Sequence, residues 1–432
     1  MRQHAIHIFN EAVKAVQPQY LLPKYIQRRG DSIHLAGQEF NRQQFQHLYI
    51  IGAGKASAAM AQQAEAILGD IITSGIVVTK YDHSFPLQIT SCIEAGHPVP
   101  DENSVQAGEA IVQLLKEATE NDLVIALISG GASALIIDYP PGSSLTEVQQ
   151  VFGDLLRSGA TIQEMNTVRK HLSPSIKGGQ LVRSAWPATV YSFILSDVIG
   201  DPLESIASGP TVADPSSFAD AQKILEKYNL ANQLPVAIQN WIQQGTETPK
   251  PGDPIFNHTH NFLIGTNRIA LEAAAKQAVS LYYHTEILTD TLSGEAEEKA
   301  AELVQQIKNY KGPKPACLLL GGETTVTIKN NGKGGRSQQF VLAALQSLQQ
   351  SGTSLQDIVL LSAGTDGTDG PTDAAGAVID EEVAVAVQQL QLDAKHYLQQ
   401  NNAYPFFEQT NGLFITGATQ TNVMDVVVVL IR

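Results

Sequence analysis

The sequence predicts an α/β protein: a larger, Rossmann-like, mainly parallel sheet covered by helices, and a second, smaller α/β domain. Three observations predict it. Apolar strand-like runs alternate with helix-period segments along the chain. At 432 residues the chain is too long for one ordinary core. Turns rich in Gly, Ser, Thr and charge follow the strand-like runs, as they do where a parallel strand hands over to a covering helix.

Each element follows in order. MRQHAIHIFNEAVKAVQP places apolar residues at helical spacing and contains an acid, so it predicts an amphipathic helix rather than a signal peptide. HLYIIG (47–52) reads as a strand, AGKASAAM as a turn and an Ala-rich helix, and SGIVVTK (74–80) as the next strand. DLVIALISGGASALI (122–136) is strand, glycine turn and helix; TVYSFILSDVIGD (189–201) is strand and polar loop. GTETPKPGDP, rich in Pro, Gly and Thr, reads as a linker or long surface loop. It sets the expected domains at 1–245 and 246–432. Beyond it, NFLIGTNRIALEAAAKQAV is strand, turn and helix, and ACLLLGGETTVTIKNNGKGG reads as a hairpin-like pair of strands. RSQQFVLAALQSLQQ is a helix, and IVLLSAG and MDVVVVLI are strands.

Bulk properties narrow the function. A net charge of −15 argues against nucleic acid or an anionic membrane as the main partner. No 18-residue apolar run suggests a membrane span. The two cysteines, Cys92 and Cys317, lie in strand-like runs, which suits buried free thiols and a reducing, cytoplasmic setting.

The chemistry is expected in five loops at strand ends, because open α/β sheets bind ligands there. IIGAGKAS carries Gly54 and Lys55 after a strand. A Walker A loop would need glycine where Tyr49 stands and Ser or Thr where Ala56 stands. A dinucleotide fingerprint would need glycine at Ser57, and SGIVVTK ends in Thr79-Lys80 where an acid is expected. In ISGGASALI, backbone amides with Ser129, Gly130, Gly131 and Ser133 suit a phosphate or carboxylate, although a plain helix cap has the same appearance. The loop after the 189–195 run, with Ser208 and Gly209 beyond it, offers Asp197 as a general base or metal ligand. GKGGRSQQF sets Arg336, after Gly335, in the first turn of a helix, where the helix dipole disfavours a cation. AGTDGTDGPTD carries Asp366, Asp369 and Asp373, which suggest Mg²⁺ although Asp-Gly turns explain most of the pattern. Basic residues, glycine loops and aspartates without Cys or His clusters suit phosphoryl transfer, which needs positioning and charge neutralisation more than a nucleophilic side chain.

GAGKAS, GHPVPDE, SGGASAL, NTVRKHLSPSIKGGQL, LSDVIGDPLESIASGPTVADP, GGETTVTI with GKGGRSQQF, and GTDGTDGPTDAAGAVID occur in that order over nearly the whole chain. Together they closely resemble the glycerate 2-kinase family. The resemblance implies ATP-dependent phosphorylation of D-glycerate to 2-phosphoglycerate with Mg²⁺ or another divalent cation, and an active site in the interdomain cleft. It puts the family's lysine and arginine on Lys55 and Arg336. With Asp197 these are the expected catalytic residues. Gly54, Ser129, Gly130, Gly131, Ser133, Ser208, Gly209, Glu323 and Gly335 are the expected binding residues, and Asp366 the metal ligand. The expected partners are the small molecules and a second copy in a homodimer. The chain departs from the family pattern at Ser337 and Gln339, in TGATQTN, and by one extra residue in HLSPSIKGG. The alternatives are an NAD(P)-dependent hydroxypyruvate reductase, which Gly52-x-Gly54 and Lys80 would serve, and a non-catalytic sensor of phosphorylated acids.

Overall fold

A computed structural model describes residues 1–432, which separate into two compact units: residues 21–264, and residues 1–20 with 265–432. The larger unit is built on a six-stranded sheet. Its order across the width is Thr90–Ala95, Ser74–Lys80, Leu48–Ala53, Leu123–Ile128, Thr189–Leu195 and Thr259–Gly265. Numbered by their place in the chain, these strands run 3-2-1-4-5-6, the doubly wound order. The first five pair in parallel. Every residue of Leu48–Ala53 and of Leu123–Ile128 is buried, as expected of strands covered on both faces. A helical layer adds a second core, from Val148, Val151, Leu155, Val168, Leu225 and Ile238. Its helices start at built caps. Ser144 with Glu147, Thr161 with Glu164 and Ser217 with Asp220 each close a reciprocal capping box.

The smaller unit has a mixed six-stranded sheet, in the order His284–Glu295, Ala316–Thr325, Asp425–Ile431, Ile358–Gly364, Gly376–Ile379 and Leu413–Phe414. Only the first pair is parallel. The all-buried run DVVVVLI lies near its middle, between two antiparallel neighbours. Ala316–Thr325 is a single strand. The second arm of the expected hairpin is irregular backbone, because residues 326–335 lead into the next helix and bond to another loop: Asn401 Oδ1 accepts from the Lys329 N–H at 2.7 Å.

The unit boundaries differ from the expected break at 245/246 for two reasons. The segment read as a linker is pinned to the larger unit: the Asp214 N–H donates to the Pro249 carbonyl (2.9 Å), and the Thr248 hydroxyl donates to the Asp214 carboxylate (2.9 Å). Thr259–Gly265 then completes the larger sheet. The N-terminal helix, Arg2–Ala15, belongs to the smaller unit. It buries Ala5, Ile8, Phe9, Ala12 and Val13, sets Phe9 edge-on to Phe414 with ring centroids 5.2 Å apart, and is anchored by Arg2 gripping Asp380 through two nitrogens (2.6 and 2.8 Å).

Candidate active site

In a doubly wound sheet the binding crevice opens where the strand order reverses, between the first and fourth strands. The loops after Leu48–Ala53 and Leu123–Ile128 meet there. The Lys55 N–H donates to the Gly130 carbonyl (2.9 Å), and the Ala56 N–H donates to the Ser129 hydroxyl (3.0 Å). This close approach explains the glycine. Gly54 has φ +135°, and a Cβ there would lie 2.1 Å from Ser129 Oγ. Ser57, where a dinucleotide fingerprint has its third glycine, is fully buried; its hydroxyl donates to the carbonyls of Gly54 (3.0 Å) and Val78 (2.6 Å). Ser129 is likewise buried and serves as the latch between the loops.

Two further expected residues converge on the same turn. A Cβ on Gly130 would sit 1.8 Å from the Asp197 carboxylate, and one on Gly131 would sit 2.9 Å from His97 and 3.4 Å from the Lys55 side chain. Lys55 and Asp197 therefore flank one glycine pair, where any side chain would displace the Asp197 carboxylate or the His97 ring. Asp197 is half-buried at the end of its strand. Beside them the Ser133 hydroxyl lies 2.9 Å from that of Ser208. Ala207, Ser208 and Gly209 all adopt left-handed backbone, at φ +56°, +61° and +60°. For the two that carry side chains this is strain that surrounding structure must hold. The Gly178 and Gly179 amides do so by donating to the Ser208 and Gly209 carbonyls (2.9 and 2.7 Å).

Lys177 was not anticipated. It is buried, and its ammonium donates to the Ser133 (2.9 Å) and Ile136 (3.0 Å) carbonyls, fixing the turn that carries Ser133. Burial, with the Arg169 charge adding to it, pulls its pKa down, and the nearby Asp138 carboxylate opposes the shift. The signal in the sequence was a lysine before a glycine pair, SIKGG, which resembles no standard phosphate loop.

In the smaller unit, Arg336 opens the helix Arg336–Gln350. Its guanidinium donates to Asp425 through two nitrogens (2.6 and 2.9 Å) and to Glu323 through the third (2.5 Å). Burial works against the charge, but Asp425 and Glu323 outweigh it and hold the pKa above the ordinary arginine range. Two acids thus offset the unfavourable helix dipole. Asp425 arrives from 89 residues away, so nothing near Arg336 in the sequence announced it. Asn267 fixes its position, donating from its amide to the Val423 (2.8 Å) and Asp425 (2.9 Å) carbonyls.

The three aspartates of AGTDGTDGPTD separate by role. Asp369 is buried and caps the arginine helix, accepting from the Ser337 (3.0 Å) and Gln338 (2.8 Å) amides. Gly335 is required beside it, since a Cβ would meet the Asp369 carboxylate at 2.3 Å. Asp373 accepts from the Tyr404 hydroxyl (2.8 Å). Asp366 is half-buried and accepts from the Thr368 amide and hydroxyl, both at 3.0 Å. No three His, Cys, Asp or Glu side chains converge as a metal cage. Mg²⁺ asks for less: one or two carboxylates, with phosphate oxygens and water completing its shell. As a hard oxygen donor at the rim of a turn, Asp366 fits that chemistry.

Cys317 is buried and its thiol is pushed up to about 12 by burial, whereas Cys92 is only half-buried; both are free. No helix is long and apolar enough to cross a membrane.

Residues 4–243 match a family model described as a domain of unknown function (DUF4147), and residues 316–425 match the MOFRL family. The chain is 38% identical to a protein of Pyrococcus horikoshii named glycerate 2-kinase, over 100% of this chain and 97% of that one. It is 42% identical to a protein of Agrobacterium vitis that bears the provisional name hydroxypyruvate reductase, over 88% and 86% of the two chains. A solved structure of a glycerate kinase from Thermotoga maritima matches with a TM-score of 0.85 at 38% identity, covering 100% of this chain and 99% of that one. Full-length similarity in sequence and in structure carries the conclusion: the chain belongs to the glycerate kinase family.

Proposed function

We propose that this protein is an ATP-dependent D-glycerate 2-kinase that forms 2-phosphoglycerate and ADP. The observation that carries the reading is the pair Lys55 and Asp197 against the Gly130–Gly131 turn, at the switch point of the sheet. A cation and a carboxylate on either side of a tight backbone turn are what a phosphoryl group and an attacking hydroxyl need. Asp197 accepts a hydrogen bond from the 2-hydroxyl of glycerate and takes its proton. The hydroxyl oxygen attacks the γ-phosphorus of ATP as the bond to the β–γ bridging oxygen breaks. Lys55 meets the charge on the transferred group. Arg336 holds an anion, either the glycerate carboxylate or the phosphoryl group, with Asp425 and Glu323 setting its fork. When bound, a divalent cation would neutralise phosphate charge, and Asp366 is the residue that would hold it.

The reductase alternative has less support. Ser57 stands where the dinucleotide fingerprint has its third glycine, and it is fully buried with its hydroxyl bonded to the Gly54 and Val78 carbonyls. One assay separates the two. Purified protein receives D-glycerate with ATP and Mg²⁺, or hydroxypyruvate with NADH or NADPH, and the formation of ADP and 2-phosphoglycerate is followed beside loss of NAD(P)H. The kinase reading expects ADP and 2-phosphoglycerate in equal amounts. Loss of NAD(P)H without ADP formation sinks it.

A further inference from the structure

The geometry points to a cavity in the larger unit as the seat of the nucleotide base. It encloses about 410 Å³ and is lined at one end by Gly131 and Ser133, the turn assigned above to the phosphoryl group. From there it runs between the loop His97–Pro100 and the helices Leu145–Arg157 and Ile162–His171. Its walls are largely apolar, with Ile137, Phe152 and Met165 inside. Val99 and Leu156 stand at its edge, each 66% exposed. Large apolar side chains left this open beside a cavity mark a surface that something covers.

Size and chemistry choose the occupant. Glycerate has three carbons, each bearing oxygen, and matches neither the volume nor the walls. A flat, mostly apolar ring with a few polar edges matches both, as in pockets that take cofactors. Two polar groups suit adenosine phosphates. Gln149 donates its amide N–H to the Pro100 carbonyl (2.7 Å), which turns its amide as a unit and gives its carbonyl oxygen the acceptor role toward an exocyclic amine. Arg169 lies over the Phe152 ring, 5.1 Å from its centroid, and donates to Asn166 (2.6 Å). Asn166 accepts in turn from Ser208 (3.3 Å), whose hydroxyl meets Ser133 (2.9 Å). One polar chain therefore ties the cavity wall to the phosphate-binding turn, and it brings a cation toward a polyanion.

This assignment rests on the kinase reading for its direction, base in the cavity and phosphates at Gly131–Ser133, and its test keeps the two apart. Gly153 lines the cavity from inside a helix, where a Cβ meets only the Arg157 guanidinium at 3.3 Å, the far end of a flexible side chain. Leucine there fills the cavity and is also the better helix former. In Gly153→Leu, ATP KM and the calorimetric Kd for ADP should rise about tenfold or more, while D-glycerate KM stays within about twofold. Leu156→Ser, at the exposed edge, should weaken ADP by about threefold with no folding risk. Inorganic tripolyphosphate, which has no base, should bind wild type and both variants alike. ADP affinity unchanged in both variants overturns the assignment, and so does a rise in D-glycerate KM instead of ATP KM. A wild-type protein that binds ADP in this cavity but phosphorylates no glycerate supports the assignment and removes the kinase reading.

Discussion

At the scale of single residues, Lys55 and Asp197 carry different burdens, and substitutions separate them. In the proposed mechanism Lys55 meets charge that grows in the transition state, so Lys55→Ala should lower kcat by a factor on the order of 100 or more, with the fold intact. A folded variant with near-normal turnover would reduce Lys55 to a residue of the turn. In the proposed mechanism Asp197 acts on the hydroxyl after binding, whereas Asp366 sets how much metal is needed. Asp197→Asn should therefore cut kcat with little change in the Mg²⁺ requirement, and Asp366→Asn should raise the Mg²⁺ concentration for half-maximal rate and be partly rescued by excess. A Mg²⁺ titration of initial rate at saturating ATP and D-glycerate checks both; rescue of the Asp197 variant instead would exchange the two roles. Lys55 and Arg336 were conspicuous in the sequence because each breaks a local habit, a lysine after a glycine turn and a cation at a helix start. Asp425, Asn166 and Lys177 were not, because each acquires its meaning from a partner that only the fold supplies, 89, 42 and 44 residues away.

At the scale of elements, the helix Arg336–Gln350 depends on a carboxylate from another loop. Burial and the neighbouring Asp425 push the Asp369 pKa up to about 7, against the two amide bonds that favour its ionised form. The native state thus holds a proton that the unfolded chain has released above about pH 4. The stability from this group is complete below that pH and is lost as pH rises through about 7. The slope it contributes is at most about 1.4 kcal/mol per pH unit. Asp369→Asn cannot release that proton, so the thermal midpoint should fall less steeply between pH 5 and 7 than in wild type, even if the variant is less stable throughout. Parallel midpoint curves would show that Asp369 is already ionised in the native protein. Alternating apolar runs made the main strands of the larger sheet readable, since Leu48–Ala53 and Leu123–Ile128 are buried from end to end. Of the two readings of the segment after Gln244, the long loop describes its irregular backbone and the linker does not, because Thr248 and Pro249 bond back to Asp214. The second arm of the hairpin expected after Ala316–Thr325 failed for a related reason: β-prone residues there have no strand to pair with.

At the scale of the whole molecule, the smaller unit is discontinuous, and its first piece is the N-terminal helix. Ile8 and Phe9 are fully buried in it and Val13 nearly so. At about 1.5–3 kcal/mol for each such side chain, the helix contributes on the order of 5 kcal/mol to that unit. A chain starting at residue 21 should lose amide-exchange protection in Ile358–Gly364 and Asp425–Ile431 and keep it in Leu48–Ala53. Equal protection in both sheets would show the helix to be dispensable. The arrangement also bears on synthesis. The helix Arg2–Ala15 packs against the helix Asn267–Ser280, which leaves the ribosome about 250 residues after it. At about 5–20 residues per second, that is a wait of roughly 10–50 s with an uncovered apolar face. The near-central strand Asp425–Ile431 follows the last strand of the larger sheet, Thr259–Gly265, by about 160 residues. The larger unit can therefore fold while the smaller one still waits for its near-central strand, which has to join a helix made about 400 residues earlier.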